Sequence, residues 1–67
     1  MKIFNRKYYF QGLVYFDENH NLTICGIYVK WLDQITILAF TRKKAEKQAF
    51  NFFNEKYPEY KDFVQLY

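Results

Sequence analysis

The chain has 67 residues, a net charge of +3 and a pI near 9.0. That length supports one domain, spanning residues 1–67, and a domain so small buries only ~60% of the surface its unfolded chain exposes. Cys25 is the only cysteine, which excludes an intrachain disulfide and a cysteine-based zinc site.

No apolar run approaches the ~20 residues of a membrane span. The start, Met1 to Lys7, lacks the apolar stretch and small-residue cleavage site of a secretory leader. A cytoplasmic protein with a reduced Cys25 thiol and no membrane partner is expected.

Phe, Trp and Tyr make up 24% of the chain. One small core cannot enclose them all, so several must face outward, where such residues form interfaces. Charge is also uneven. Residues 1–16 carry +3 from Lys2, Arg6 and Lys7, and residues 41–53 carry +3 from Arg42, Lys43, Lys44 and Lys47 against Glu46. Two positive blocks suit an anionic partner.

In chain order, Lys7 to Phe16 is dense in Tyr, Phe, Leu and Val and reads as a first strand. The polar cluster Asp17-Glu18-Asn19-His20-Asn21 closes a hairpin. A second strand is expected from Leu22 to Trp31, a tight connection at Leu32-Asp33-Gln34, and a third strand from Ile35 to Phe40. Then the period changes. Thr41 is a good N-cap, and Ala45, Ala49, Phe52 and Phe53 fall in one helical arc, with Pro58 ending the helix. Phe63, Leu66 and Tyr67 predict that the tail docks on the body, in helical or extended form.

The expected fold is α+β: a three-stranded antiparallel meander packed against one C-terminal helix, in the order β-β-β-α, with a short docked tail. On the first strand Tyr8, Phe10, Val14 and Phe16 share one face, and Lys7, Tyr9, Gln11, Leu13 and Tyr15 the other. On the second, Cys25, Ile27, Val29 and Trp31 are read as inward. The open face then carries Lys7, Tyr9, Gln11, Tyr15, Tyr28, Lys30 and Thr36. Gly12 and Gly26 mark a bulge or a close backbone approach.

Chemistry of the catalytic kind has little to work with. The chain has no serine, one histidine (His20, in the turn cluster) and two glycines. No nucleophile–base pair, phosphate loop or metal-ligand spacing results. A non-enzymatic binding protein without cofactor or metal is expected.

The most informative stretch is Thr41-Arg42-Lys43-Lys44-Ala45-Glu46-Lys47-Gln48-Ala49. On a helical wheel Lys43, Lys44 and Lys47 lie opposite Ala45 and Ala49, with Asn51 and Asn54 in the same arc and Phe50 at its border. Lysine charge and Asn amides bind phosphates well. A helix of the form Thr41-Arg42-Lys43-x-Ala45-x-x-x-Ala49 after a three-stranded sheet resembles the last helix of double-stranded-RNA-binding domains. It is equally similar to the helix of phage-type integrase arm-binding domains. The resemblance spans residues 7–57 in element order and nine residues in motif. It implies lysines laid over phosphates and, in the integrase case, a sheet that reads a DNA groove.

The first expected function is therefore nucleic-acid binding, with DNA ahead of RNA. Lys43, Lys44, Lys47, Asn51, Arg6, Lys7 and Lys30 would hold the backbone, and Tyr9, Tyr15, Tyr28 and Phe50 would form an aromatic interface. The alternative is a phage- or mobile-element-type inhibitor or adaptor that binds an acidic or nucleic-acid-binding host protein, such as a defence nuclease. The Lys-, Asn-, Ile-, Tyr- and Phe-rich composition fits the AT-rich genomes of low-GC bacteria and their phages. A third reading is a homodimer formed through the aromatic sheet face.

Overall fold

The computed structural model describes residues 5–67. Lys2, part of the first basic block, lies outside the described residues. Strand β1 spans Arg6–Phe16, β2 Leu22–Thr23, β3 Tyr28–Ala39 and helix α1 Arg42–Lys56. A single 3-10 turn, Pro58–Tyr60, and a short strand β4, Gln65–Leu66, complete the chain. The β-β-β-α order, the antiparallel pairing and the single covering helix are as expected. The strands run β2-β1-β3, with β1 at the centre, and β4 adds to β1 beside β2.

Two strand boundaries differ from expectation. The Leu22–Trp31 segment is not one strand: β2 ends at Thr23, and the chain crosses from one edge of β1 to the other before β3 begins. Gly26 makes this crossing feasible. A Cβ there would lie 2.3 Å from the carbonyl oxygen of Phe16, so the crossing chain abuts the end of β1. Neighbouring Ile27 donates its N–H to that same oxygen at 3.0 Å.

Leu32-Asp33-Gln34 is not a turn but the middle of β3. An Asp-Gln pair between apolar runs imitates a turn. Here its charge has a tertiary partner, Lys56 Nζ, 2.7 Å from Asp33 Oδ2.

A bulge accompanies this segment. Gly12 pairs with Asp33 but Leu13 pairs with Trp31, so Leu32 is an extra residue in β3. Side chains alternate along a strand, and one inserted residue reverses the alternation beyond it. Ile35, Ile37 and Ala39 share the helix-covered face with Phe10 and Tyr8. Before the bulge that face belongs to Lys30 and Tyr28, opposite Val14 and Phe16. The expected inward set is thus overturned: Val29 and Trp31 lie on the open face, and Ile27 and Cys25 are exposed. Tyr28 and Lys30, expected on the open face, stand on the covered side at its margin.

The core lies between the sheet and α1. Phe10, Ala39, Ala45 and Ala49 pack at one end. Val14, Leu32, Phe53 and Val64 pack at the other, with Ile35 and Leu66 touching both clusters. Ala45 and Ala49 are fully buried where α1 meets the sheet at one end, and Phe53 is fully buried at the other. Phe52 is only half-buried, whereas Phe53 is fully enclosed.

Thr41 caps α1, its hydroxyl accepting the Lys44 N–H at 3.2 Å. The helix stops before Tyr57, whose N–H is satisfied by Phe53 O and whose hydroxyl donates to Leu32 O at 3.2 Å. The end of the helix thereby holds the bulge. The tail docks as expected and is extended after its 3-10 turn. Val64 is buried, and Tyr67 and Gln11 exchange two backbone hydrogen bonds at 2.7 and 2.9 Å.

Candidate binding surfaces

Helix α1 presents Lys43, Lys44, Lys47 and Asn51 to solvent. Its buried stripe of Ala45, Ala49 and Phe53 fixes that orientation. Among the described residues, ion pairs join Arg42 to Glu46 and Lys56 to Asp33, and neither uses these three lysines. The first turn contains no acid, so the lysines add to the positive end of the helix dipole. Phe50 is 40% exposed at the border of the arc, as the wheel predicts. Asn54 leaves the arc: its Oδ1 accepts the Asp62 N–H at 3.2 Å and so holds the tail loop.

The sheet register adds to this surface. Arg6 pairs with Ala39 and Lys7 with Leu38, which sets both beside the chain segment that enters α1 at Arg42. Positive charges remote in sequence therefore gather at one end of the molecule. Arg6 shares the covered side with Tyr8 and Phe10, and Lys7 shares the open side with Tyr9. The guanidinium of Arg42 lies over the Phe10 ring, 5.2 Å from its centroid. Asp17 and Glu18 stand at the opposite end of the sheet, in the turn after β1.

The turn itself is built on Asp17, whose Oδ1 accepts the N–H groups of Asn19 and Asn21 at 2.8 and 2.9 Å. His20 sits there with a φ of 65° and stacks on Tyr28, ring centroids 5.3 Å apart. Lys30 donates to the Tyr60 hydroxyl at 3.1 Å. Lys30 and Tyr28 are thus engaged locally, away from the basic end.

The uncovered face of the sheet forms a separate surface on the opposite side from α1. Tyr9, Gln11, Leu13 and Tyr15 of β1 stand there beside Leu38, Thr36, Gln34, Trp31 and Val29 of β3. Tyr67 joins them through a 2.8 Å hydrogen bond between its hydroxyl and that of Tyr15. This hydrogen bond is the main cause of a Tyr15 pKa raised above the usual tyrosine value. The Trp31 indole N–H donates to Gln11 Oε1 at 3.2 Å. Trp31, Val29, Leu38 and Tyr67 were not assigned to this surface from sequence. The bulge that reverses their side leaves no local signal, and only the strand register reveals it.

Among the described residues no three His, Cys, Asp or Glu side chains gather to hold a metal, and no helix is long and apolar enough to cross a membrane. No family model, curated protein or solved structure matches the chain.

Proposed function

We propose that this protein is a non-enzymatic nucleic-acid-binding module that grips phosphates with its basic end. The observation that carries this reading is that Arg6 of β1, on the helix-covered side, stands at the end of the sheet where α1 begins with Lys43, Lys44 and Lys47, while Lys7 adds charge to that end from the open side. Phosphate recognition needs several unpaired cations on one surface, with amides nearby to fix the register. Asn51 supplies such an amide one helical turn beyond Lys47. The resemblance of Thr41 to Ala49 to phosphate-binding helices points the same way.

The test is an anisotropy titration against duplex DNA, duplex RNA and single strands at two salt concentrations. Binding that weakens steeply with salt, by about 0.9 log units per log unit of salt for each phosphate contact on duplex DNA, supports the reading. Absence of binding at low salt overturns it.

One observation favours a second reading, in which the same end docks on an acidic protein surface as an inhibitor or adaptor. Phe40 and Phe50 are 56% and 40% exposed near the lysines. A protein partner would cover such rings, whereas the phosphates that the neighbouring lysines hold make no contact of that kind. A host-protein target of the anti-defence kind belongs to this reading.

A further inference from the structure

The open sheet face carries a broad patch of exposed apolar and aromatic side chains, and this is unusual for a sheet with a helix on one side only. An antiparallel sheet with one solvated face normally alternates apolar-in with polar-out. Here Tyr9 is 69% exposed, Val29 58%, Trp31 53%, Leu38 57% and Tyr67 59%. These side chains form an apolar patch around the polar residues Gln11, Gln34 and Thr36.

We infer that the open face is the interface of a homodimer, in which two copies pack sheet against sheet. The proposal does not depend on the nucleic-acid reading. Its first support is area. Fully exposed aromatic side chains offer ~150–250 Å² each, so Tyr9, Trp31 and Tyr67, each more than half exposed, together present roughly 350 Å², and Val29 and Leu38 extend the patch. A stable interface buries ~800 Å² per partner, of which ~65% is apolar in homodimers, or roughly 500 Å². The face thus approaches what a dimer requires.

The second support is self-complementarity, which a two-fold interface demands. Among the described residues the face carries no acid, and its one cation, Lys7, stands at one end, opposite Leu38. Its central polar pair is Gln11 against Gln34. A two-fold axis beside Gln11 sets amides against amides, each with a donor and an acceptor. The same axis places Lys7 of one copy over the Tyr15–Tyr67 hydroxyl pair of the other, so the two lysines never meet. A concavity of about 90 Å³ beside Gln11, walled by Tyr9, Gln34 and Tyr67, receives an interdigitating side chain. The two α1 lysine arcs then face outward on opposite sides of the assembly, able to bridge two nucleic-acid segments.

The deciding experiment is sedimentation equilibrium of the full chain over a concentration series. Expected is a species of twice the 8.3 kDa chain mass. Trp31→Glu, at an exposed position outside the core, weakens self-association by at least ~30-fold, the scale of losing one central anchor residue. Leu38→Asp does the same from the other end of the face, while Lys43→Ala/Lys44→Ala/Lys47→Ala dimerises like the parent. Far-UV circular dichroism of each variant separates lost pairing from lost folding. A folded parent that stays monomeric at high micromolar concentration overturns the proposal and leaves the face to a different protein or to stacked bases. A dimer unaffected in both folded face variants overturns it as well.

Discussion

The ring of Phe53 lies directly against Gly12: a Cβ at position 12 would come within 2.5 Å of Phe53 Cε1. Phe53 is fully buried, so the ring has little room to give. Gly12→Ala is expected to overpack this contact and cost about 1–3 kcal/mol. Phe53→Ala, a core truncation, is expected to cost about 3–5 kcal/mol. Denaturant melts of the two variants and the double variant check this. The Gly12→Ala penalty should shrink once the ring is removed, and an unchanged penalty would sink the contact.

Asp33 and Lys56 predict a pH-dependent contribution to stability. The hydrogen bond from Lys56 is the main cause that lowers the Asp33 pKa, followed by the Gln34 N–H, against an opposing effect of burial. The same bond raises the Lys56 pKa. A carboxylate whose folded pKa is depressed stabilises the fold above the unfolded value, about 3.9, and loses that contribution as pH falls through its folded value. The raised lysine contributes fully below its unfolded value, about 10.4, and loses this as pH rises through the folded one. Asp33→Asn should therefore narrow its stability gap to the parent on acidification below about pH 4. Stability curves running parallel from neutral pH down to about pH 2 would rule out the coupling. Both side chains are partly exposed, so added salt should shrink the gap.

Triple replacement of Lys43, Lys44 and Lys47 by Ala should leave the fold intact, since all three side chains are exposed. On duplex DNA the log–log salt slope should fall by about 2.7 if each lysine holds one phosphate. Titrations at four or more salt concentrations measure it. An unchanged slope would remove α1 from the interface and leave Arg6 and Lys7 alone.

Cys25 should react in the native state. Its thiol is exposed in the crossing between β2 and β3. An aromatic disulfide reagent is expected to label one thiol per chain without denaturant, and Cys25→Ser should change stability by less than about 0.5 kcal/mol. Labelling that waits for global unfolding would restore the inward placement expected from the strand pattern.

Much of the fold was legible in local patterns. Alternation of Tyr, Phe and Val marked β1, the Asp17 to Asn21 cluster marked its turn, and Thr41 with the Ala45–Ala49–Phe53 spacing marked α1 and its exposed lysines. These features depend on neighbours a few residues away, so the chain itself carries their signal. The site was legible only in part. Lys43, Lys44, Lys47 and Asn51 could be placed because a helix wheel needs nothing beyond the helix.

By itself, then, the sequence determined the element types, the helix face and the surplus of aromatic residues over what one core can hold. Tertiary structure alone decided where the side chains of the crossing and of the first half of β3 point. The crossing at Gly26, the extra residue Leu32 and the pairing of Asp33 with Lys56 are each satisfied by partners distant in sequence. Because strand alternation has a period of two, that one inserted residue turned Trp31 and Val29 outward and Lys30 toward the helix side. The same long-range register joined Arg6 and Lys7 to the start of α1, a juxtaposition no local pattern encodes.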